Sequence, residues 1–180
     1  MRKKFDTVDV LYSKSFDTPL GPMVAMASDK QLYLLEFTER RALDREIERT
    51  QRKLSCQILD GDNAVLSSIE NEMNAYFSSE FEGFKTPYAL IGTDFQNKIW
   101  RALTDIKYGH TIGYGALAQQ LGKGQSVRAL ANAVGANQLA VIIPCHRVIG
   151  KNGSLNGYAG GIERKRILLN HEQNPILMCA

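Results

Sequence analysis

Apolar positions along the chain change their spacing from one stretch to the next, and the spacing predicts the elements. "GPMVAMAS" (21–28) and "KQLYLLEF" (30–37) are short apolar runs meeting at "DK", the pattern of a β-hairpin. "ERRALDREIERTQRKL" (39–54) is charged throughout, with i,i+4 pairing opportunities, and predicts a surface helix. "DNAVLSSIENEMNAYF" (62–77) puts Val65, Leu66, Ile69, Met73, Tyr76 and Phe77 on one helical face. A boundary falls in "ALIGTDFQ" (89–96). There Thr93 and Gln96 have capping-box spacing, and Phe95, Ile99, Leu103 and Ile106 follow at helical period.

Beyond that boundary, "TIGYGALAQQLG" (111–122), a turn "KGQ" and "SVRALANAVGAN" (126–137) predict two short helices. Leu117, Ala118 and Leu121 form one apolar face, Val127, Leu130 and Val134 the other, with Ser126 placed to cap the second helix. The pair reads as a helix-turn-helix, although most short helix pairs bind nothing. "LAVII" (139–143) predicts a buried strand ending at Pro144. A Gly-rich loop, "GKNGSLNGYAGG" (150–161), leads into a last helix, "IERKRILLNHEQ" (162–173). The expected fold class is α+β: a small α+β unit followed by a mostly helical one.

Composition narrows the class. The 180 residues suffice for one ordinary domain or two small ones. There is no apolar run of the roughly 18 residues that a transmembrane helix needs. "MRKKFDTVDVLYSKSFD" has basic residues with no apolar stretch behind them, so no secretory signal is expected. Cys56, Cys145 and Cys179 are odd in number and widely spaced, unlike a disulfide framework or a metal cluster, which suits a reducing cytoplasm. The net charge of +3 is uneven: residues 1–90 hold 12 Lys+Arg against 15 Asp+Glu, residues 91–180 hold 10 against 4. The basic second half fits a polyanion partner, and would equally suit an ordinary domain.

That half also holds "IPCHRVIG" (143–150). A thiol beside His146 and Arg147 has a positive neighbourhood of the kind that favours the reactive thiolate. Free cysteine is also a common core residue, so on these features nucleophile and structural thiol stand level. On an extended chain Cys145 and His146 would point opposite ways, so a bridging water or a kink is needed for the imidazole to act on the thiol. A histidine base also needs a third group, and Glu172 is a candidate, or simply an exposed glutamate. Arg128 opens the second helix of the pair among small residues. It could reach a phosphate or enter a base stack, or merely be solvated. Tyr114 is either a half-buried core tyrosine or a hydroxyl donor. Asn137 could be no more than a C-cap.

Taken together, these segments resemble the O6-alkylguanine-DNA alkyltransferases, also called methylated-DNA–protein-cysteine methyltransferases. The resemblance rests on "IPCHRVIG", and on "TPLGPM" (18–23), "GTDFQNKIW" (92–100, with Asp94 where proline is common), "YGALAQQLG" (114–122), "VRALANAVGAN" (127–137) and "GYAGGIERKRILLNHE" (157–172). It implies domains at 1–91 and 92–180, the first with a ribonuclease-H-like antiparallel sheet. It implies single-turnover repair in which Cys145 accepts an alkyl group from O6-alkylguanine, leaving O4-alkylthymine open. His146 would take the thiol proton through a water, and Glu172 would orient His146. Asn137 would brace the cysteine turn, and Tyr114 would hydrogen-bond the flipped guanine. Arg128 would fill the gap left in the stack, and Ser126, Val127 and Ala129 would lie beside it in the minor groove. Val148 and the loop residues Tyr158, Ala159, Gly160 and Gly161 would line the guanine pocket.

The implied partner is double-stranded DNA, the implied state a monomer, with no cofactor and no membrane. Some members carry a zinc ion, but here the histidines are His110, His146 and His171, and the first half has one cysteine, so none is expected. The rivals are a damage-flagging relative, which would lack the cysteine, a plain helix-turn-helix regulator, and a cysteine hydrolase, for which no oxyanion hole is evident.

Overall fold

The computed structural model describes residues 8–78, 80–122 and 126–174. The "KGQ" turn and Cys179 lie outside the described residues. The chain divides into two compact units, Met1–Ile91 and Gly92–Ala180.

The first unit is built on a four-stranded sheet of β1 (Val10–Phe16), β2 (Met23–Ala27), β3 (Leu32–Phe37) and β4 (Gln57–Asp60), in the order β3-β2-β1-β4. The predicted hairpin is β2–β3, closed by Ser28 N–H donating to the Gln31 carbonyl at 3.0 Å. Both strands are wholly buried, which is why they read as unbroken apolar runs. Helices α1 (Leu43–Leu54) and α2 (Ala64–Phe77) complete the unit; α1 packs on β3, and α2 on β1 and β2. Asn63 caps α2 by accepting from Leu66 N–H at 2.9 Å. One detail departs from an antiparallel sheet. β1–β3 are antiparallel, but β4 runs parallel to β1, because it is reached by a helical crossover through α1 rather than by a hairpin.

The second unit opens with α3 (Asp94–Thr104), whose capping box forms as the spacing predicts. Gln96 N–H donates to Thr93 Oγ1 at 3.2 Å, and Thr93 N–H donates to Gln96 Oε1 at 2.9 Å. The buried face of α3 is Asn97, Ile99, Trp100 and Leu103, while Phe95 is exposed. Asn97 and Trp100 draw the centre of that face round the helix, leaving Phe95 about 110° from it. Next come β5 (Ile112–Gly113), α4 (Tyr114–Gln120) and α5 (Val127–Gly135). Trp100 Nε1–H donates to the Ala133 carbonyl at 2.8 Å and ties α3 to α5. Leu130, Ala133 and Val134 are the buried face of α5. Val127, expected with them, is 49% exposed, because the first turn of α5 projects beyond that contact.

"LAVII" is buried as expected, but it is not a strand. Residues 138–143 form tight turns, with Val141 in the left-handed region at φ 69°. A run of apolar residues cannot by itself distinguish a buried strand from a buried turn. After this segment come a 3-10 turn (Cys145–Arg147), β6 (Val148–Ile149), the Gly-rich loop and α6 (Ile162–Gln173).

Candidate active site

Cys145 opens the 3-10 turn instead of ending a strand. In a helix with three residues per turn, successive side chains fan out by about 120° rather than opposing each other. Cys145 and His146 can therefore border one small volume. The turn is held from behind by Asn137, whose Nδ2 lies 3.2 Å from the Leu139 carbonyl, 2.9 Å from the Ile143 carbonyl and 3.2 Å from Cys145 Sγ. Asn137 Oδ1 accepts from Leu139 N–H at 3.0 Å. Asn137 is 3% exposed, so it is an internal brace rather than a helix cap alone.

α6 packs against this turn and buries Lys165, Leu168, Leu169, His171 and Glu172. Glu172 Oε1 lies 2.7 Å from His146 Nε2. Arg147 grips the same carboxylate with Nε (2.8 Å) and Nη2 (2.9 Å), and Gly109 N–H donates to it at 3.2 Å. Arg147 also donates Nη1–H to the Ile106 carbonyl at 2.6 Å, and it stacks over the Tyr108 ring. Burial alone would push the Glu172 carboxyl up. Hydrogen bonds from His146 and Arg147, and their charges, bring it instead to about 2. An ionised Glu172 requires the hydrogen of neutral His146 to sit on Nε2, leaving Nδ1 as a bare acceptor. Complete burial lowers the His146 pKa below its ordinary value against the pull of Glu172, so the ring is neutral at neutral pH. Nδ1 is buried and has no hydrogen-bond partner among the described residues. The ring is thus a base with one nitrogen anchored and the other open.

Tyr114 arrives by a different route. β5 pairs in parallel with β6, Ile112 opposite Val148 and Gly113 opposite Ile149. This ladder sets Tyr114, the first residue of α4, beside the cysteine segment. Its hydroxyl is pushed up by burial and then by the Cys145 charge. The same hydroxyl is 3.7 Å from where a Cβ on Gly157 would lie, so the Gly-rich loop passes close to it. Val148, Tyr158 and Gly160 are buried, and Ala159 is half-buried. The Tyr158 ring meets His146 edge-on, with centroids 6.4 Å apart. Ser126, Val127 and Arg128 stand exposed at the start of α5, where Ser126 Oγ accepts from Ala129 N–H at 3.4 Å.

The structure thus brings Cys145, His146, Glu172, Asn137, Tyr114, Val148 and Tyr158 together, and leaves Arg128 on an outward-facing helix start. No hydrogen bond joins His146 directly to Cys145 among the described residues. Sequence reasoning missed Arg147 as the clamp on Glu172, the Gly109 amide, and Lys165. For the first there was a signal: Arg147 is a charged residue directly before Val148 and Ile149 in "IPCHRVIG", a segment otherwise mostly apolar. Among the described residues no cluster of three His, Cys, Asp or Glu residues is arranged to hold a metal, and no helix is long and apolar enough to cross a membrane.

Comparison with known proteins bears on the same residues. The family model described as "6-O-methylguanine DNA methyltransferase, DNA binding domain" matches residues 94–174. A methylated-DNA–protein-cysteine methyltransferase of Mycobacterium tuberculosis is 38% identical over 165 residues, 92% of this chain and 94% of that protein. One from Methanosarcina barkeri is 34% identical, covering 92% and 99%. The crystal structure of Mycobacterium tuberculosis OGT in complex with DNA superposes with a TM-score of 0.76 at 38% identity, over 90% of this chain and 92% of that one. The two-unit α+β fold, the buried cysteine turn and these likenesses agree: the chain belongs to the methylated-DNA–protein-cysteine methyltransferase family.

Proposed function

We propose that this protein repairs DNA by direct reversal, taking the alkyl group of O6-alkylguanine onto Cys145 in a single, irreversible turnover. The observation that carries the reading is the pairing of a buried thiol with an imidazole whose Nε2 is fixed on Glu172 and whose Nδ1 is open. The thiol proton passes through one bridging water to Nδ1. The sulfur then attacks the alkyl carbon in line. The S–C bond forms as the C–O6 bond breaks, and the electron pair leaves with the guanine. Tyr114 donates its hydroxyl hydrogen bond to the departing base. No tetrahedral intermediate arises, so the site needs no oxyanion hole. The product is a thioether, which water does not hydrolyse, so each molecule acts once.

DNA engages the exposed start of α5. Its small side chains allow close approach to the minor groove, and Arg128 occupies the space of the extruded base. Val148, Tyr158, Ala159 and Gly160 wall the pocket that receives it. The acceptor thiol must stay reduced, which supports a reducing cytoplasm as the protein's setting.

The test is intact-protein mass after mixing with a duplex carrying O6-methylguanine. The expected result is a gain of one methyl group on Cys145, one equivalent of DNA repaired and no further turnover. Tight binding to the damaged duplex without an adduct would replace this reading with damage flagging.

A further inference from the structure

The loop between α3 and β5, residues 105–111, holds the back of the site. Its Ile106 carbonyl accepts from Arg147 Nη1 at 2.6 Å, its Tyr108 ring lies 5.7 Å under the Arg147 guanidinium, and its Gly109 N–H donates to Glu172 Oε2 at 3.2 Å. Gly109 lies 63 residues from Glu172 in the chain, and it could hardly be another residue. Its φ of +73° is in the left-handed region that glycine enters without cost. A Cβ there would stand 3.0 Å from the Glu172 backbone carbonyl oxygen, tighter than carbon and oxygen ordinarily approach. Gly109 therefore meets Glu172 at both its carboxylate and its main chain.

The carboxylate is shared. Oε1 meets His146 Nε2 at 2.7 Å and Arg147 Nη2 at 2.9 Å, while Oε2 meets Arg147 Nε at 2.8 Å and the Gly109 amide. A buried carboxylate beside an imidazole favours imidazolium, and an imidazolium cannot accept the thiol proton. Every other donor on the carboxylate draws on the charge that would hold that proton. The charged and titratable groups around His146 are Cys145 and Arg147 on its own turn, Glu172 and Lys165 from α6, Tyr158 from the Gly-rich loop and Tyr114 from α4. Glu172 favours the protonated ring, whereas burial, Arg147 and Lys165 disfavour it. We infer that Gly109 is a positioning residue for the base: its amide, delivered by a left-handed turn with no room for a side chain, fixes Glu172 Oε2 and shares its charge, so that Oε1 orients His146 without keeping it protonated.

This rests on the reading of Cys145 as acceptor and His146 as its base. The rate of methyl transfer from an O6-methylguanine duplex is followed between about pH 5 and 8 in wild type, Gly109→Ala and Gly109→Asn. Loss of the amide should raise the pH at which the rate reaches half its plateau by about half a unit, slowing transfer about threefold below that midpoint. Asparagine tolerates a left-handed φ but brings the same Cβ, so Gly109→Asn should shift the midpoint as Gly109→Ala does. A glycine needed only for its turn would lower the melting temperature and leave the midpoint unmoved, and that result overturns the inference. NMR of the wild-type protein without DNA provides a second test, valid even if neither variant folds or no methyl is gained, the outcome that would sink the reading of Cys145. The Gly109 amide should be protected from deuterium exchange, and its proton shift should follow the titration of His146. An amide that exchanges freely or ignores that titration rules the role out.

Discussion

Cys56 and Cys145 are equally hidden, each 5% exposed, yet their surroundings differ in kind. Cys56 sits in the first unit's core with Leu11, Val24, Met26, Tyr33, Leu34 and Leu54 around it. Burial pushes its thiol up, with only its own backbone hydrogen bond acting the other way. The sulfur of Cys145 faces the Asn137 amide, with the Tyr114 hydroxyl and the Lys165 ammonium within electrostatic reach. Burial alone makes a thiol inert, since desolvation disfavours the thiolate. Reactivity depends on which dipoles and charges replace the lost water. The two cysteines therefore form an internal control: same residue type, same exposure, opposite setting.

The largest effect expected is on transfer itself. Cys145→Ser should abolish methyl uptake from an O6-methylguanine duplex, while Cys56→Ser should still gain one methyl, as read by intact mass. Uptake by Cys145→Ser would dissolve the contrast. The next effect concerns the charges behind Cys145. The Glu172 carboxyl stands at about 2, below its ordinary 4.5, so the unfolded chain binds the proton first as pH falls. The stability it confers is whole above 4.5 and is lost as pH drops toward 2, an effect of about 3 kcal/mol. His146, also lowered, adds a loss that begins below its ordinary 6.5. Urea unfolding at stepped acid pH should show this slope, and Glu172→Gln should remove the part below 4.5; an unchanged slope in that variant would assign the acid sensitivity elsewhere. The smallest effect belongs to Cys56→Ala, a shallow truncation in a packed core. It should lower unfolding stability by about 1 kcal/mol with the single-turnover rate unchanged, and a slowed rate would mean that Cys56 is more than filling.

The contrast explains what could be read in advance. The α2 and α3 faces, the α3 capping box and the last helix follow from local spacing, and residues 162–173 are helical as the pattern predicts. β1 and β4 escaped, because β1 buries its side chains irregularly and β4 is almost wholly exposed, so neither alternates cleanly. The "LAVII" strand was misread because burial on all sides erases periodicity. In the site, the neighbours Cys145 and His146 were visible, but the contacts that give them meaning span 25 to 26 residues to Glu172. Lys165 lies with Glu172 on the buried face of α6, where a hydropathy pattern expects apolar residues, so Lys165 looked like solvent-facing surface, while Glu172 stood out only as a candidate third group.

Val141 holds a left-handed φ of 69° although it is β-branched, a conformation that stores on the order of 1–3 kcal/mol of strain. It persists because Asn137 grips the backbone on either side of it, at Leu139 and Ile143. For protein engineering, this means that the eight letters "IPCHRVIG" are not a portable part. Grafted onto another scaffold without the strained turn before them and its asparagine brace, they would supply a cysteine and a histidine with nothing to aim either one.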